Sequence, residues 1–332
     1  MESMGIRLTT PGELIRASIV DPNFKKRSLR LKGISVADAL LVVERINGFH
    51  SASHSIAFLA AVESALDMEV PDSVLKSRIM MVELERIRSN LEVLKRVCAP
   101  SGFGVPVSQL GYLREKVSRI ISRASGHRFF FAANGIAHAG ISSEGVGQAL
   151  AGIRDEFERI FDGLQESKIF LNRLQNNGVT RSKILLGPTA RAAGLRYDAR
   201  IDSDTLPYGD LGFEPEVRDE MDASGRLLVR GQEILSSIDL IKSLGNPGSE
   251  GSKFHDLKGQ GEGTARIESP QGDLFYYVKM NGNVLEDVWF VTPSELNITA
   301  FETSMVGNIF PDLPLNWESF GIWISEMGVD IQ

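Results

Sequence analysis

Cysteine is all but missing from this sequence: Cys98 stands alone in 332 residues. An intramolecular disulfide is therefore impossible, and a zinc or iron–sulfur site built from cysteines of this chain is excluded. The scarcity fits a reducing compartment. Long apolar runs are missing too. Ile56 to Leu66 comes nearest and is interrupted by Glu63, short of the about 18 residues that a membrane span needs. Met1 to Arg16 has no apolar core of the signal-peptide kind. At a membrane, such a chain is expected to be peripheral. Positive charge is not in excess: 36 Lys and Arg face 43 Asp and Glu, for a formal net charge of -7. Both signs are interspersed. No basic stripe points to nucleic acid, and no basic run of the kind that grips an anionic membrane surface is found. There is no internal repeat.

What is present is mostly helical patterning. Residues 1–34 read as irregular, with Pro11, Pro22 and a basic cluster at Lys25, Lys26, Arg27 and Arg30. Val36 to Ile46 reads as a short helix stopped by Asn47-Gly48, and Ala52 to Leu66 as a second. A long third helix starts at Pro71. Its Leu75, Ile79, Met80, Leu84, Ile87, Leu91 and Leu94 recur at spacings of three and four, as one core-facing stripe requires. Val107 to Ala124 reads as another. Val146, Leu150, Ile153, Phe157, Ile160 and Leu164 carry a further segment on to Leu174, stopped at Asn176-Asn177-Gly178. Residues 213–244 look helical. Strands come late: Gly272 to Met280, the turn Asn281-Gly282-Asn283, and a return over Val284 to Val291. The expectation is an α+β fold, mostly α: a short segment over 1–34, then one domain over 35–332. Within that domain a helical bundle spans about 35–245, a mobile loop about 246–262, and a β-containing part about 263–332.

Several segments then resemble one family, in order along the chain. Val43-Glu44-Arg45-Ile46-Asn47-Gly48, Ser53-His54-Ser55 and Ala60-Ala61-Val62-Glu63 resemble the first signature of hydrogenase large subunits. Glu83-Leu84-Glu85-Arg86 and Gly126-His127-Arg128-Phe129 resemble later landmarks. Gly187-Pro188-Thr189-Ala190-Arg191-Ala192-Ala193-Gly194, with Asp198 and Arg200, is similar to the central segment. Arg230, Glu233 and Ser237-Ile238 continue it. Gly261-Glu262-Gly263, Glu268-Ser269-Pro270, Pro293-Ser294 and Asn297 lead toward the last loop, with Asp312, Pro314, Ser319 and Phe320 before it. The resemblance is to the large subunits of membrane-bound nickel–iron hydrogenases and the matching D core subunit of complex I, NADH:quinone oxidoreductase.

The departures from that family matter as much. Its first cysteine pair falls on Asn47 and His50, and its last pair on Trp323 and Glu326. A nickel–iron centre needs soft, deprotonated thiolates, and none remains. The arginine that the family places over the metal is Gln271 here. Six residues follow Glu326, so no cleavable maturation tail is expected. The quinone-binding tyrosine of the complex I branch falls on Gly48. Its quinone-binding histidine belongs to an N-terminal hairpin, most of which is not expected here, and the first 34 residues hold no histidine.

Two readings of Asn47, His50, Gln271, Trp323 and Glu326 stand open. They line a remodelled cavity for a substrate, a quinone or a hard metal, or they fill the vacated space with His50 paired to Glu326. His54 and His127 are either proton relays or backbone anchors. Glu44 with Arg45 is expected to orient the first loop, and Arg191, Asp198 and Arg200 the central one. Gly259-Gln260-Gly261-Glu262-Gly263 does not sit between a strand and a helix and carries a carboxylate, so a nucleotide loop is rejected.

The resemblance implies a peripheral core subunit on the cytoplasmic side of a membrane-bound, redox-driven ion-translocating complex. Its implied partners are a small iron–sulfur subunit like the B subunit of complex I, other hydrophilic-arm subunits and membrane ion-translocating subunits. No cofactor is expected in this chain, and iron–sulfur clusters are expected in the partners. The alternative is a non-catalytic scaffold that couples an iron–sulfur module to the membrane subunits.

Overall fold

The computed structural model describes residues 3–202, 204–245, 247 and 257–332. A hairpin opens the chain, β1 (Gly5–Thr9) with β2 (Ala17–Asp21), followed by β3 (Arg27–Leu29). Then come α1 (Val36–Val43), α2 (Ser51–Ala65), α3 (Asp72–Cys98) and α4 (Gly104–Ser125). A two-residue ladder, β4 (Asn134–Gly135) and β5 (His138–Ala139), precedes α5 (Val146–Glu166) and α6 (Lys168–Leu174). Short helices α7 (Gly187–Arg191) and α8 (Ala199–Asp202) lead to α9 (Ala223–Ser243). The main sheet is β6 (Gln260–Ser269), β7 (Gly272–Asn281) and β8 (Val284–Val291). It is followed by α10 (Pro293–Leu296), α11 (Ile298–Ser304), α12 (Leu313–Phe320) and β9 (Val329–Ile331). The α+β, mostly α expectation is met. No helix among the described residues is long and apolar enough to cross a membrane.

The long helix α3 organises the rest. It packs on α2, α4, α9 and α12, and every residue from Ser77 to Leu94 is buried. The sequence assigns α3 one core-facing stripe. The fold surrounds it on all sides, so Arg78, Glu83, Glu85, Arg86, Arg88 and Glu92 are buried as well. Charges at such positions persist only when paired and hydrogen-bonded, and that requirement builds the site described below.

Four sequence expectations are corrected. Residues 1–34 are not irregular: β1 pairs antiparallel with β2, and β3 pairs parallel with the C-terminal β9. A partner supplied by the far end of the chain leaves no local signature. The 146–174 segment breaks at Ser167, whose hydroxyl accepts from Phe170 N and starts α6. Residues 213–221 are not helical. The helix starts at Ala223, capped by Asp222, whose carboxylate accepts from Ser224 N and Gly225 N. Strand β6 has no counterpart in the sequence pattern. Its Gly261 falls in the expected loop and Gly263 at the edge of it, yet they are there because α2 runs against the strand. A Cβ on Gly263 would overlap the Ala61 carbonyl, and one on Gly261 that of Ala65. After Val291 the chain is mainly helical, so the part over 263–332 is only partly β. Most of the expected mobile loop over about 246–262 lies outside the described residues.

Candidate functional site

The first loop joins α1 to α2 and is held from three directions. Within it, Phe49 N donates to Asn47 Oδ1 (3.0 Å) and His50 N to Asn47 O (2.9 Å), which closes a tight turn. The start of α2 lacks a side-chain cap of its own. Glu85 of α3 supplies one, accepting from Ala52 N at 2.7 Å and Ser53 N at 3.0 Å. A carboxylate on exposed helix N–H groups is favourable at the positive end of the dipole. Arg88, also of α3, donates to the carbonyls of Arg128, Gly48 and Phe49. It lies over the rings of Phe49 and Phe129. Burial lowers its guanidinium to about 10, with Glu85 opposing the shift.

The last loop follows α12, turns at Gly321 and carries Trp323 to Glu326. Arg27 of β3 joins the two loops by donating to Ile46 O at 3.0 Å and Ser325 O at 2.6 Å. Between the loops the Glu326 carboxylate is the hub. Its Oε1 accepts from His50 Nδ1 and from Asn47 Nδ2 (2.8 Å), and its Oε2 accepts from the Ser294 hydroxyl (2.5 Å). Burial alone would push this carboxyl up. The charge and hydrogen bond of His50, helped by His54, outweigh burial and hold it well below the usual carboxylate range.

His50 continues the chain of contacts. Its Nε2 is 3.1 Å from the Ser89 hydroxyl, whose oxygen also accepts from Gln271 Nε2 at 3.2 Å. The Ser89 hydroxyl thus bridges His50 to Gln271. His54 Nδ1 meets the Tyr276 hydroxyl at 2.7 Å, while its Nε2 lies 3.7 Å from Glu326 Oε1. Trp323 stacks on Phe49 with ring centroids 4.8 Å apart, meets His50 edge-on at 5.3 Å, and is covered by Arg96 at 4.3 Å. The indole Nε1–H has no acceptor among the described residues.

The structure thus brings Asn47, His50, Gln271, Trp323 and Glu326 together, with His54 alongside, and leaves them between 0% and 6% exposed. Trp323, Phe49 and His50 pack on one another there. Two of the surface clefts, of about 620 and 450 Å³, lie against α4–α5 and α5–α9, and neither is lined by a residue of the first or last loop. Glu44 is fully buried and accepts from Ala132 N at 2.9 Å, whereas the Arg45 side chain is 51% exposed and lies over Phe131. His127 stays apart from the cluster: it accepts from Phe129 N and stacks on Phe131. Sequence reasoning missed Ser89, Ser294, Tyr276, Glu85, Arg88 and Arg27. A charged residue on every face of α3 was the available signal for two of them.

The donor set does not fit a nickel–iron centre. It offers one imidazole, one carboxylate, an amide and an indole in place of soft thiolates. Both His50 nitrogens and both Glu326 oxygens are already engaged inside the protein.

Gln271 links this cluster to a second one. Its Oε1 accepts from Arg230 at 2.7 Å, Arg230 donates to Asn90 Oδ1 at 2.9 Å, and Asn90 donates to Glu233 at 3.1 Å. There Arg191 pairs with Glu233 (2.5 Å), Glu268 (2.8 Å) and Asp198 (2.9 Å), and Asp198 pairs with Arg200 (2.7 Å). These residues tie the central loop to β6 and α9. Burial and neighbouring Asp198, only partly offset by the arginines, push the Glu268 carboxyl up to about 7.

Known proteins are similar to this chain in sequence and in fold. Residues 104–256 match the 49 Kd subunit family of respiratory-chain NADH dehydrogenase. Over 306 residues the chain is 26% identical to the membrane-bound hydrogenase subunit alpha of Pyrococcus furiosus, covering 82% of this chain and 71% of that one. The chain is a relative of these hydrogenase and respiratory subunits. It is also 26% identical over 331 residues to the carbon monoxide-induced hydrogenase of Rhodospirillum rubrum, covering 95% of this chain and 92% of that protein. It is 26% identical over 313 residues to the D 1 subunit of the NADH-quinone oxidoreductase of a Roseiflexus species, covering 86% and 83%. Among solved structures, a chain of the membrane-bound sulfane sulfur reductase, an archaeal respiratory membrane complex, shares the fold. Its TM-score is 0.85 at 24% identity, over 99% of this chain and 95% of that one.

Proposed function

We propose that this chain is a peripheral core subunit of a membrane-bound, hydrogenase-related and complex I-like redox complex, and that it works there without a nickel–iron centre. The observation that carries the reading is the meeting of the first and last loops. The relatives' fold is kept at that point, while the donor atoms are those of Asn47, His50 and Glu326. Electron carriers then belong to a small iron–sulfur partner, and ion movement to membrane subunits. The chain is placed by this reading at the cytoplasmic face.

A second reading is favoured by one observation. Trp323 packs on Phe49 and His50 between the loops, as suits a scaffold that couples an iron–sulfur module to membrane subunits without chemistry of its own. The test is isolation of the intact complex from detergent-solubilised membranes through a tag on this chain, with subunit identification and metal analysis. Co-purifying iron–sulfur and membrane-spanning subunits are expected. Recovery of the chain alone, from a membrane preparation that retains its other complexes, overturns both readings.

A further inference from the structure

We propose that the outer face of the β1–β2 hairpin, with the turn over Phe24–Lys26, contacts anionic lipid headgroups. The inference rests on the reading that the chain works at a membrane. It begins with charge segregation. Residues 1–32 hold seven Lys and Arg against three Asp and Glu, and the remaining residues hold 29 against 40. A locally basic segment thus sits in an acidic chain, and the fold gathers what no single sequence run contained.

Pairing in the hairpin sorts its side chains. Val20 and Ser18 face inward, 5% and 7% exposed, with Ile6 and Leu8 packed on the same core cluster. Arg7 lies opposite Ile19 on the other face, and Ile19 is 55% exposed. Phe24 is 58% exposed and lies over Gly5, where a Cβ would stand 2.8 Å from its ring. A shallow cavity of about 540 Å³ opens here, lined by Gly5, Arg7, Ile19, Asp21, Pro22 and Phe24. Asp21, the acidic residue on this face, is engaged locally, accepting from Asn23 N at 3.0 Å.

The cations here are uncommitted. Arg7, Lys25 and Lys26 are exposed and form no ion pair among the described residues, nor do Arg16 and Arg30. By contrast, the neighbouring Lys32 pairs with Asp287, and Arg27 is spent on the two loops. Flexible lysines beside an exposed aromatic and an exposed aliphatic side chain are the composition of a membrane interface. The apolar groups enter the headgroup boundary, and the long stems let the ammonium groups stay with the phosphates. An acidic protein partner would satisfy the charges but leave Phe24 and Ile19 without an apolar seat of their own.

The experiment is flotation of the full chain with vesicles of phosphatidylcholine alone and of phosphatidylcholine with phosphatidylglycerol. Binding to the anionic vesicles only, falling as salt is raised, is expected. Each surface cation lost near an anionic bilayer costs about fivefold in partition, so K25E/K26E, which removes two cations and adds two anions, is expected to lower binding by at least about 30-fold. F24S is expected to lower it at every salt concentration. The residues are exposed, and unchanged melting of both variants checks that the fold persists. Equal binding to neutral vesicles, no binding, or full binding by K25E/K26E overturns the proposal. So does a K25E/K26E chain that still floats yet fails to co-purify with membrane subunits, which would make this face a protein contact. Flotation tests the lipid contact, whereas co-purification tests the subunit reading, so the two can fail separately.

Discussion

The Glu326 carboxylate accepts a hydrogen bond from the His50 imidazole across 276 positions of sequence, with both residues buried. Removing one partner of such a buried pair leaves the other uncompensated, at a cost of about 3–5 kcal/mol. E326A and H50A are each expected to lose stability of that order in chemical denaturation. The double variant H50L/E326M, which removes both charges and keeps volume, should lose clearly less than the sum. Additive losses would mean that the pair is not coupled.

Two of the shifted carboxyls, Glu326 and Glu268, have opposite pH signatures. Glu326 is depressed below its ordinary 4.5, so its stabilisation is present above that value and is lost as pH falls through its folded value. Glu268 is raised from 4.5 to about 7, so its contribution is present below 4.5 and is lost as pH rises through about 7. E268Q should therefore flatten the decline in stability between those two values, and E326Q should flatten the acid limb. Denaturation midpoints measured across pH would reveal both, and a wild-type slope retained in either variant would refute that assignment.

The last loop supports the first through Glu326 and through Arg27, which donates to both loops. Deletion of residues 323–332 is expected to increase hydrogen exchange at the amides of Asn47 to Ser53. R27A should have a smaller effect at the same amides, because it removes two hydrogen bonds and keeps the hub. Unchanged exchange in the deletion would show that Glu85 and Arg88 hold the first loop alone.

Gly263, like Gly261, is a tight sequence requirement of the sheet. A methyl group there would press on the backbone of Ala61 and Ala65 in α2. G263A is expected to destabilise by about 1–3 kcal/mol, as overpacking does. Alanine at Gly282, in the turn between β7 and β8, has open space but a left-handed backbone, φ 59°, and should cost about 1 kcal/mol. Thermal melting ranks the two, and a reversed order would contradict the close approach of β6 to α2.

Elemental analysis of the purified complex should find no nickel in stoichiometry with this chain, since no thiolate lies between the two loops. Cys98 is the remaining thiol, and burial pushes it up to about 12. It should resist alkylation until the chain unfolds. One nickel per chain would overturn the proposed function.

Much of the architecture was legible in the residues. Apolar spacing located α3 and α5, and the Asn281-Gly282-Asn283 turn located β7 and β8, because these signals are local. Collinear motifs gave the family, and the cysteine count by itself removed the thiolates. Tertiary structure alone decided the rest. It turned the irregular-looking first residues into strands by supplying β9 as a partner. It made a strand of Gly261 and Gly263 by laying α2 against them. It packed Trp323 of the last loop on Phe49 and His50 of the first. Glu85, Ser89 and Arg27 gained their roles from neighbours far along the chain, and no local pattern encodes which distant group a buried charge will meet. A buried charge must find a partner somewhere, and only the folded chain determines which one it finds.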